Sequence, residues 1–169
     1  LNRNFHDFSK PLPVNAAYRE VAEMLMPDHW PPNADNMALL QAYIAKHGEF
    51  AFQAAVSGGQ HEYPKGLFYG GVAPTWSNVT LRSVLSQHAS GVNKVGWIDL
   101  HTGLGPSGLG ERIFAGKNDA VALARTRRWW AGAQKEDGTY ETPITSFYDG
   151  TSTSAKLTGL MWSAADDAF

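Results

Sequence analysis

The chain has 169 residues, with 14 basic and 16 acidic side chains and no cysteine. This length suits one compact domain, and a composition that is 43% hydrophobic and 18% charged is too apolar for a disordered chain. The lack of cysteine excludes disulfide scaffolds, thiolate nucleophiles and cysteine-ligated zinc, and a formal net charge of -2 offers no basic footprint for nucleic acid. No apolar run approaches the roughly 18 residues that span a membrane. We expect a soluble, cytoplasmic globular protein whose partners are neither nucleic acid nor membrane.

Three helices are predicted in the first third of the chain. Apolar residues at a 3.6-residue period after Asn15, a candidate N-cap, predict a first helix that stops before Pro27. The same spacing from Met37 predicts a second helix that ends near Gly48. The short apolar stretch of residues 49–56 fits helix or strand by periodicity, and we favour a third helix.

A long irregular segment, rich in glycine and aromatic residues, occupies residues 57–78. A loop of about 20 residues is uncommon in a compact domain unless it is functional. Asn78 is predicted to cap the following helix, which should end at the Gly91 stop signal.

The second half of the chain adds strands to the pattern. Residues 92–100 (VNKVGWIDL) predict a buried strand that delivers His101 into a glycine-rich loop. Asn118 or Asp119 caps a further helix, and residues 142–148 fit another strand. Helices that alternate with strands predict an α/β fold, in which chemistry is placed outside the carboxyl ends of the strands.

Asp99 and His101 form the most informative pair in the sequence. Strand side chains alternate, so these two residues lie on the same face. A metal-binding imidazole needs its other nitrogen held by an acceptor, and Asp99 suits that orienting role. The alternative is a histidine and aspartate pair that closes a strand end for structural reasons only. A catalytic zinc needs three protein ligands, and His61 is the one further histidine that we considered as a ligand.

Other candidate residues carry weaker signals. The amide of Asn2 beside the guanidinium of Arg3 suits a two-point clamp on a carboxylate, although the dipeptide alone is not specific. Glu111 is a weak candidate for a general base. Neither the Gly-x-Ser-x-Gly motif of serine hydrolases nor the Gly-Lys-Ser/Thr ending of a phosphate-binding loop is present around Ser107.

Five sequence blocks together resemble one known family. They are LNRNF at 1–5, SGGQ at 57–60, PKGLFYGG at 64–71, PTWSN at 74–78 and IDLHTGLGP at 98–106. Their order and wording resemble the zinc-carboxypeptidase-like family called domain of unknown function 2817, of which this chain is similar to the central portion.

The resemblance implies a three-layer fold with a mixed, mostly parallel sheet between helices and with zinc at the strand ends. By analogy, His101 matches the third zinc ligand, and Asn2 and Arg3 match the pair that grips a substrate carboxylate. The family's first two ligands, in a His-x-x-Glu motif, would precede Leu1, and its general base would follow Phe169. The chain is therefore expected to be one partial carboxypeptidase-like domain over residues 1–169, incomplete at both ends.

Three functions follow from these patterns. The first is part of a zinc-dependent hydrolase that cleaves a peptide or acyl-amino-acid amide bond next to a carboxylate, with little activity expected from these residues alone. The second is a non-catalytic binding protein that uses the loop from Gly58 to Trp76 as its ligand surface. The third is a metal-independent enzyme with a site built from His61, Asp99, His101 and Glu111. Exposed apolar edges of a partial sheet also predict self-association.

Overall fold

The computed structural model describes residues 2–89, 91–103 and 105–168. Leu1, Leu104 and Phe169, which belong to segments interpreted above, and Ser90 therefore lie outside the described residues. Within the described ranges the chain forms a mixed α/β structure of six helices and two short strands: α1 (Ala16–Leu25), α2 (Ala34–His47), α3 (Glu49–Ser57), α4 (Trp76–Ala89), β1 (Ile113–Phe114), α5 (Ala120–Trp130), β2 (Thr145–Ser146) and α6 (Trp162–Ala168). None of these helices is long and apolar enough to cross a membrane.

The first helix begins and ends where the sequence predicts. The side chain of Asn15 accepts a hydrogen bond from the backbone N–H of Tyr18 at 3.1 Å, which satisfies one of the free donors at the start of α1. Its amide nitrogen also donates to the carbonyls of Ala55 and Gly59, both at 3.0 Å. One side chain therefore caps α1 and attaches it to the end of α3.

Helices α1, α2 and α3 pack around a small apolar core. Val21, Tyr43 and Ala55, one from each helix, are buried against one another. Burial of a side chain such as Val21 contributes roughly 1.5–3 kcal/mol relative to an exposed position. Helix α3 confirms the preference for helix over strand at residues 49–56.

Helix α4 starts earlier than predicted, and Asn78 is not its cap. The helix begins at Trp76, so that Thr75 takes the capping position and its hydroxyl accepts from the N–H of Asn78 at 3.4 Å. The side chain of Asn78 is buried inside the protein and donates to the carbonyl of Asn4 at 2.7 Å. Asparagine is a common capping residue, but the side chain of Asn78 makes a tertiary hydrogen bond and Thr75 caps the helix.

The prediction of a buried strand over residues 92–100 is wrong for this structure. The segment is mostly exposed, with Ile98 at 64% and Leu100 at 88% exposure, and it lies in no strand. A strand requires a neighbouring strand to pair its backbone N–H and C=O groups, and no described residue provides one here. The parallel pairing that is present joins β1 to β2, with Ile113 opposite Thr145. Strand β2 confirms a strand within residues 142–148.

The described start of the chain has no helix or strand. Residues 2 and 3 form a turn, and residues 4 and 5 then run through the interior without regular structure. Phe5 donates its backbone N–H to the carbonyl of Gly159 at 3.0 Å, and its own carbonyl accepts from the hydroxyl of Ser163 at 2.9 Å. The N-terminal segment is thus held between α4 and the segment that leads into α6.

Asn4 is the centre of this arrangement. Its amide nitrogen donates to the carbonyls of Gly70 at 2.6 Å and Ala73 at 3.0 Å. Its amide oxygen accepts from the N–H of Thr75 at 2.8 Å and from the side chain of Asn78 at 3.2 Å. Every donor and acceptor of this buried amide is satisfied, which joins the N-terminal segment to the long loop and to α4.

We expect Asn4→Ala to lower the free energy of unfolding by about 3 kcal/mol, because the substitution leaves several buried backbone groups without partners. Urea denaturation followed by circular dichroism measures the change. Asn93→Ala is the matched control, since Asn93 is exposed and should change stability by less than about 0.5 kcal/mol. Equal stability of the two variants would contradict the role given to Asn4.

Candidate functional site

Arg3 lies half-buried against the long loop. Its Nε donates to the carbonyl of Ser57 at 2.7 Å, and Nη1 donates to the carbonyl of Asn2. The guanidinium carbon lies 5.2 Å from the ring centre of Phe68, within range of a cation–π interaction. Desolvation by burial lowers the pKa of Arg3 from its ordinary value, although an arginine stays charged throughout the physiological range. Within the described residues these bonds use two of its five N–H donors, so the others can serve an anion.

The side chain of Asn2 contacts the start of α6. Its amide oxygen accepts from the backbone N–H of Met161 at 2.7 Å, immediately before α6. This contact orients the amide group toward α6 and leaves only its nitrogen to act beside Arg3. A clamp formed by Asn2 and Arg3 together stays a prediction.

The structure brings two histidines to the segment that carries Arg3. The rings of His6 and His61 are 4.9 Å apart, centre to centre, and are inclined at 76°, an edge-to-face arrangement. Nδ1 of His61 lies 2.6 Å from the carbonyl of Gly71, so this nitrogen carries the proton that donates to it. The Nε2 atoms of both rings are buried and have no hydrogen-bond partner among the described residues. The sequence contains no spacing signal for this pair, because the long loop brings its members together.

Two glycines allow the close approach around these rings. A Cβ on Gly70 would lie 2.4 Å from Cε1 of His61 and 2.5 Å from the carbonyl oxygen of Arg3. A Cβ on Gly159 would lie 2.4 Å both from Nε2 of His6 and from the same carbonyl oxygen. Gly159 also has a φ of 65°, which disfavours other residues. The backbone of Arg3 and the two imidazoles are therefore packed with no room for side chains at these positions.

His101 and Asp99 lie together in the exposed segment. Nδ1 of His101 is 3.4 Å from a carboxylate oxygen of Asp99, and the His101 side chain is largely open to solvent. The contact expected between the two side chains is present, although the segment is not part of a sheet. Nε2 of His101 is the nitrogen left for a ligand. Among the residues that the structure describes, no three potential metal donors come together.

Glu111 contacts other groups. Its carboxylate accepts from the hydroxyl of Thr145 at 2.5 Å and from the backbone N–H of Thr153 at 3.2 Å. Desolvation raises the pKa of Glu111, but the hydrogen bonds from Thr145, Thr153 and Ser152 together outweigh it, and the pKa lies below its ordinary value. A general base near neutral pH needs a raised pKa, so this carboxylate is better suited to joining β2 to the segment after it.

The four-residue, metal-independent site predicted as a third function is not assembled. His61 contacts His6, Asp99 contacts His101, and Glu111 contacts threonines near β2. Apart from the contact of Asp99 with His101, no hydrogen bond or ion pair joins these four residues in the described structure.

The comparison with protein families decides what the chain belongs to. The model of the family described as Protein of unknown function (DUF2817) matches residues 1–169. The chain belongs to this family. The match confirms the family suggested by the five sequence blocks, and it covers both Arg3 and His101. Searches of the curated proteins and of the solved structures found no match.

In this DUF2817 chain we expect Gly159→Ala to destabilise the protein by about 3 kcal/mol or more, since the new methyl group would clash with the backbone of Arg3 and with His6. Thermal unfolding gives the change. Gly110→Ala is the control, because a Cβ there meets no atom within 4 Å. If both variants unfold at the wild-type temperature, the packing around Arg3 is looser than described.

Proposed function

We propose that this DUF2817 protein is a zinc-dependent hydrolase of the metallocarboxypeptidase type, which cleaves an amide bond next to a carboxylate in a peptide or an acyl-amino acid. The observation that supports it is the geometry of His101. A carboxylate lies 3.4 Å behind Nδ1, while the ring is exposed and presents Nε2. Histidines that bind metals have this support behind the ligating ring, because it fixes the tautomer and the direction of the lone pair.

The metal site is only partly represented by the described residues. A catalytic zinc takes three protein ligands and an open position, whereas His101 and Asp99 supply one imidazole and its orienting group. No three donors gather in the described part of the chain, so these residues do not by themselves fit a complete zinc site. The proposal requires two further metal ligands and a general base in addition to His101 and Asp99.

Arg3 supports the choice of substrate class. A planar guanidinium with unused donors binds a carboxylate through two parallel hydrogen bonds. Its partly buried position, with Phe68 beneath it, strengthens such a pair because fewer water molecules screen the charges. A substrate with a free carboxylate next to the cleaved bond would thus be preferred over the corresponding amide.

The proposal includes the three-layer, carboxypeptidase-like fold. In that fold zinc is held at strand ends, whereas the described residues 92–100, which lead to His101, form no strand. The exposed apolar side chains of this segment, among them Ile98 and Leu100, support a further layer packed against it, because such residues are usually buried.

A second candidate is the non-catalytic binding protein. The observation in its favour is the exposure of large apolar side chains along the loop from Gly58 to Trp76, with Val72 at 69% and Trp76 at 79%. Exposed apolar groups of this kind are typical of interaction surfaces. In this case the loop would hold a ligand without any chemical step.

The two candidates are separated by metal content and hydrolysis. We expect His101→Gln to lower the zinc content of the purified protein, measured by mass spectrometry of metals after dialysis, whereas His88→Gln, an exposed control, leaves it unchanged. For N-acyl-amino acids, Arg3→Lys should raise KM about tenfold or more, because lysine loses the bidentate geometry. The matching amide substrates should show no such change.

A protein that also supplies the two further ligands and the general base, but binds no zinc and hydrolyses none of these substrates, would overturn the hydrolase proposal. Retained binding of a small acid, weakened by Trp76→Ser, would then favour the binding protein.

A further inference from the structure

The His6–His61 pair is the strongest feature that the proposed function does not use. Both Nε2 atoms are buried and lack partners among the described residues, although a buried polar atom normally has one. The two rings are 4.9 Å apart, centre to centre. Whether they pack favourably therefore depends on whether His6 carries a proton.

We propose that the His6–His61 pair holds the segment of residues 2–6 against the loop of residues 58–71 only while His6 is neutral, and that a proton taken up by His6 releases Arg3 from its position. This inference is independent of the proposed function, since it requires neither zinc nor hydrolysis.

The neutral pair fits its surroundings. The His61 ring donates through Nδ1 to the carbonyl of Gly71, so its unprotonated Nε2 is an acceptor that faces the interior. Nε2 of His6 is buried against this ring, and a proton taken up by His6 would place a positive charge where the described side chains supply no acceptor. Leaving such a group unpaired costs more free energy than leaving a neutral acceptor unpaired.

Nearby charges do not compensate for an added proton. Asp7, next to His6 in the chain, binds Ser9 and Lys10 at the surface. Glu62, next to His61, binds Arg19.

Other groups near the pair also supply no negative charge. Arg3 is itself a cation, and the segment that leads into α6 approaches His6 through Gly159, which has no side chain. Burial, followed by the positive charge that His61 can carry, lowers the pKa of His6 below 6.5, against a smaller opposing effect of the Arg3 backbone.

The direction of the pH effect follows from this lowering. An unfolded His6 binds a proton as the pH falls through about 6.5, whereas the folded form resists it. Stability supplied by the neutral pair is therefore complete above pH 6.5 and is lost as the pH falls from 6.5 toward the lowered folded pKa. Over that window each proton taken up on unfolding shifts the equilibrium constant by up to about tenfold per pH unit.

The test combines two variants with a local measurement. His61→Asn retains a donor for the Gly71 carbonyl but cannot titrate, and His6→Phe retains the ring without its nitrogens. We expect both to flatten the dependence of unfolding on pH between 7.5 and 5, whereas the exposed control His88→Gln keeps the wild-type slope.

Hydrogen exchange then locates the effect. In wild-type protein, the protection factors of the Phe5 and Gly70 amides, which bond to Gly159 and Gln60, should fall at least tenfold at pH 5.5. The Met26 amide at the end of α1 should keep its protection. Equal losses at all three amides would overturn the local release, and an unchanged slope in both variants would overturn the role of the pair.

A second measurement covers variants that do not fold. Titration of the histidine ring protons in wild-type protein by NMR should give His6 a pKa below the ordinary value. An ordinary value for His6 would contradict the proposal whatever the variants do.

Discussion

The buried amide of Asn4 is the contact on which the candidate site depends. Its four hydrogen bonds join the N-terminal segment to the carbonyls of Gly70 and Ala73 and to the start of α4. Asn4 lies directly after Arg3 in the chain, so the position of the arginine follows from that of its neighbour. The hydrogen bonds of Asn4 thus fix the backbone that carries the guanidinium, in addition to the bonds that Arg3 makes itself. Precise sites are usually supported in this way.

Local signals made the helices predictable. Asn15 and Asp119 cap α1 and α5 as expected, because a capping side chain and the N–H groups it serves are only two or three residues apart. Asn78 has the same chemistry, but its side chain donates to the buried carbonyl of Asn4 and does not cap α4. Residues 92–100 show where local signals fail. Their composition favours a strand, yet a strand exists only when another strand pairs with it, and that information is not local.

In the candidate site, too, contacts between residues close in sequence were predictable and contacts made by the fold were not. Asp99 and His101 were predictable because they are two residues apart, and any extended backbone turns both side chains to one side. The contact of His6 with His61 was not predictable, since it depends on Gly70 and Gly159 permitting a backbone approach that no short motif encodes. Glycines at such positions are required by contacts that only the folded chain reveals.

Under the proposed function Arg3 and His101 are two halves of one site, and these halves differ in what completes them. Around Arg3 the buried amide of Asn4 is fully hydrogen-bonded and fixes the backbone, while the arginine keeps donors that would bind an acid under the proposed function. The half that carries His101 has an orienting carboxylate but follows an apolar segment open to water. Covering Ile98 and Leu100 would contribute roughly 1.5–3 kcal/mol each, and the same burial would fix the direction of His101. Under the proposed function, metal binding by His101 is thus coupled to the ordering of residues 92–100. A metal ligand is held firmly only when the backbone that carries it is also fixed.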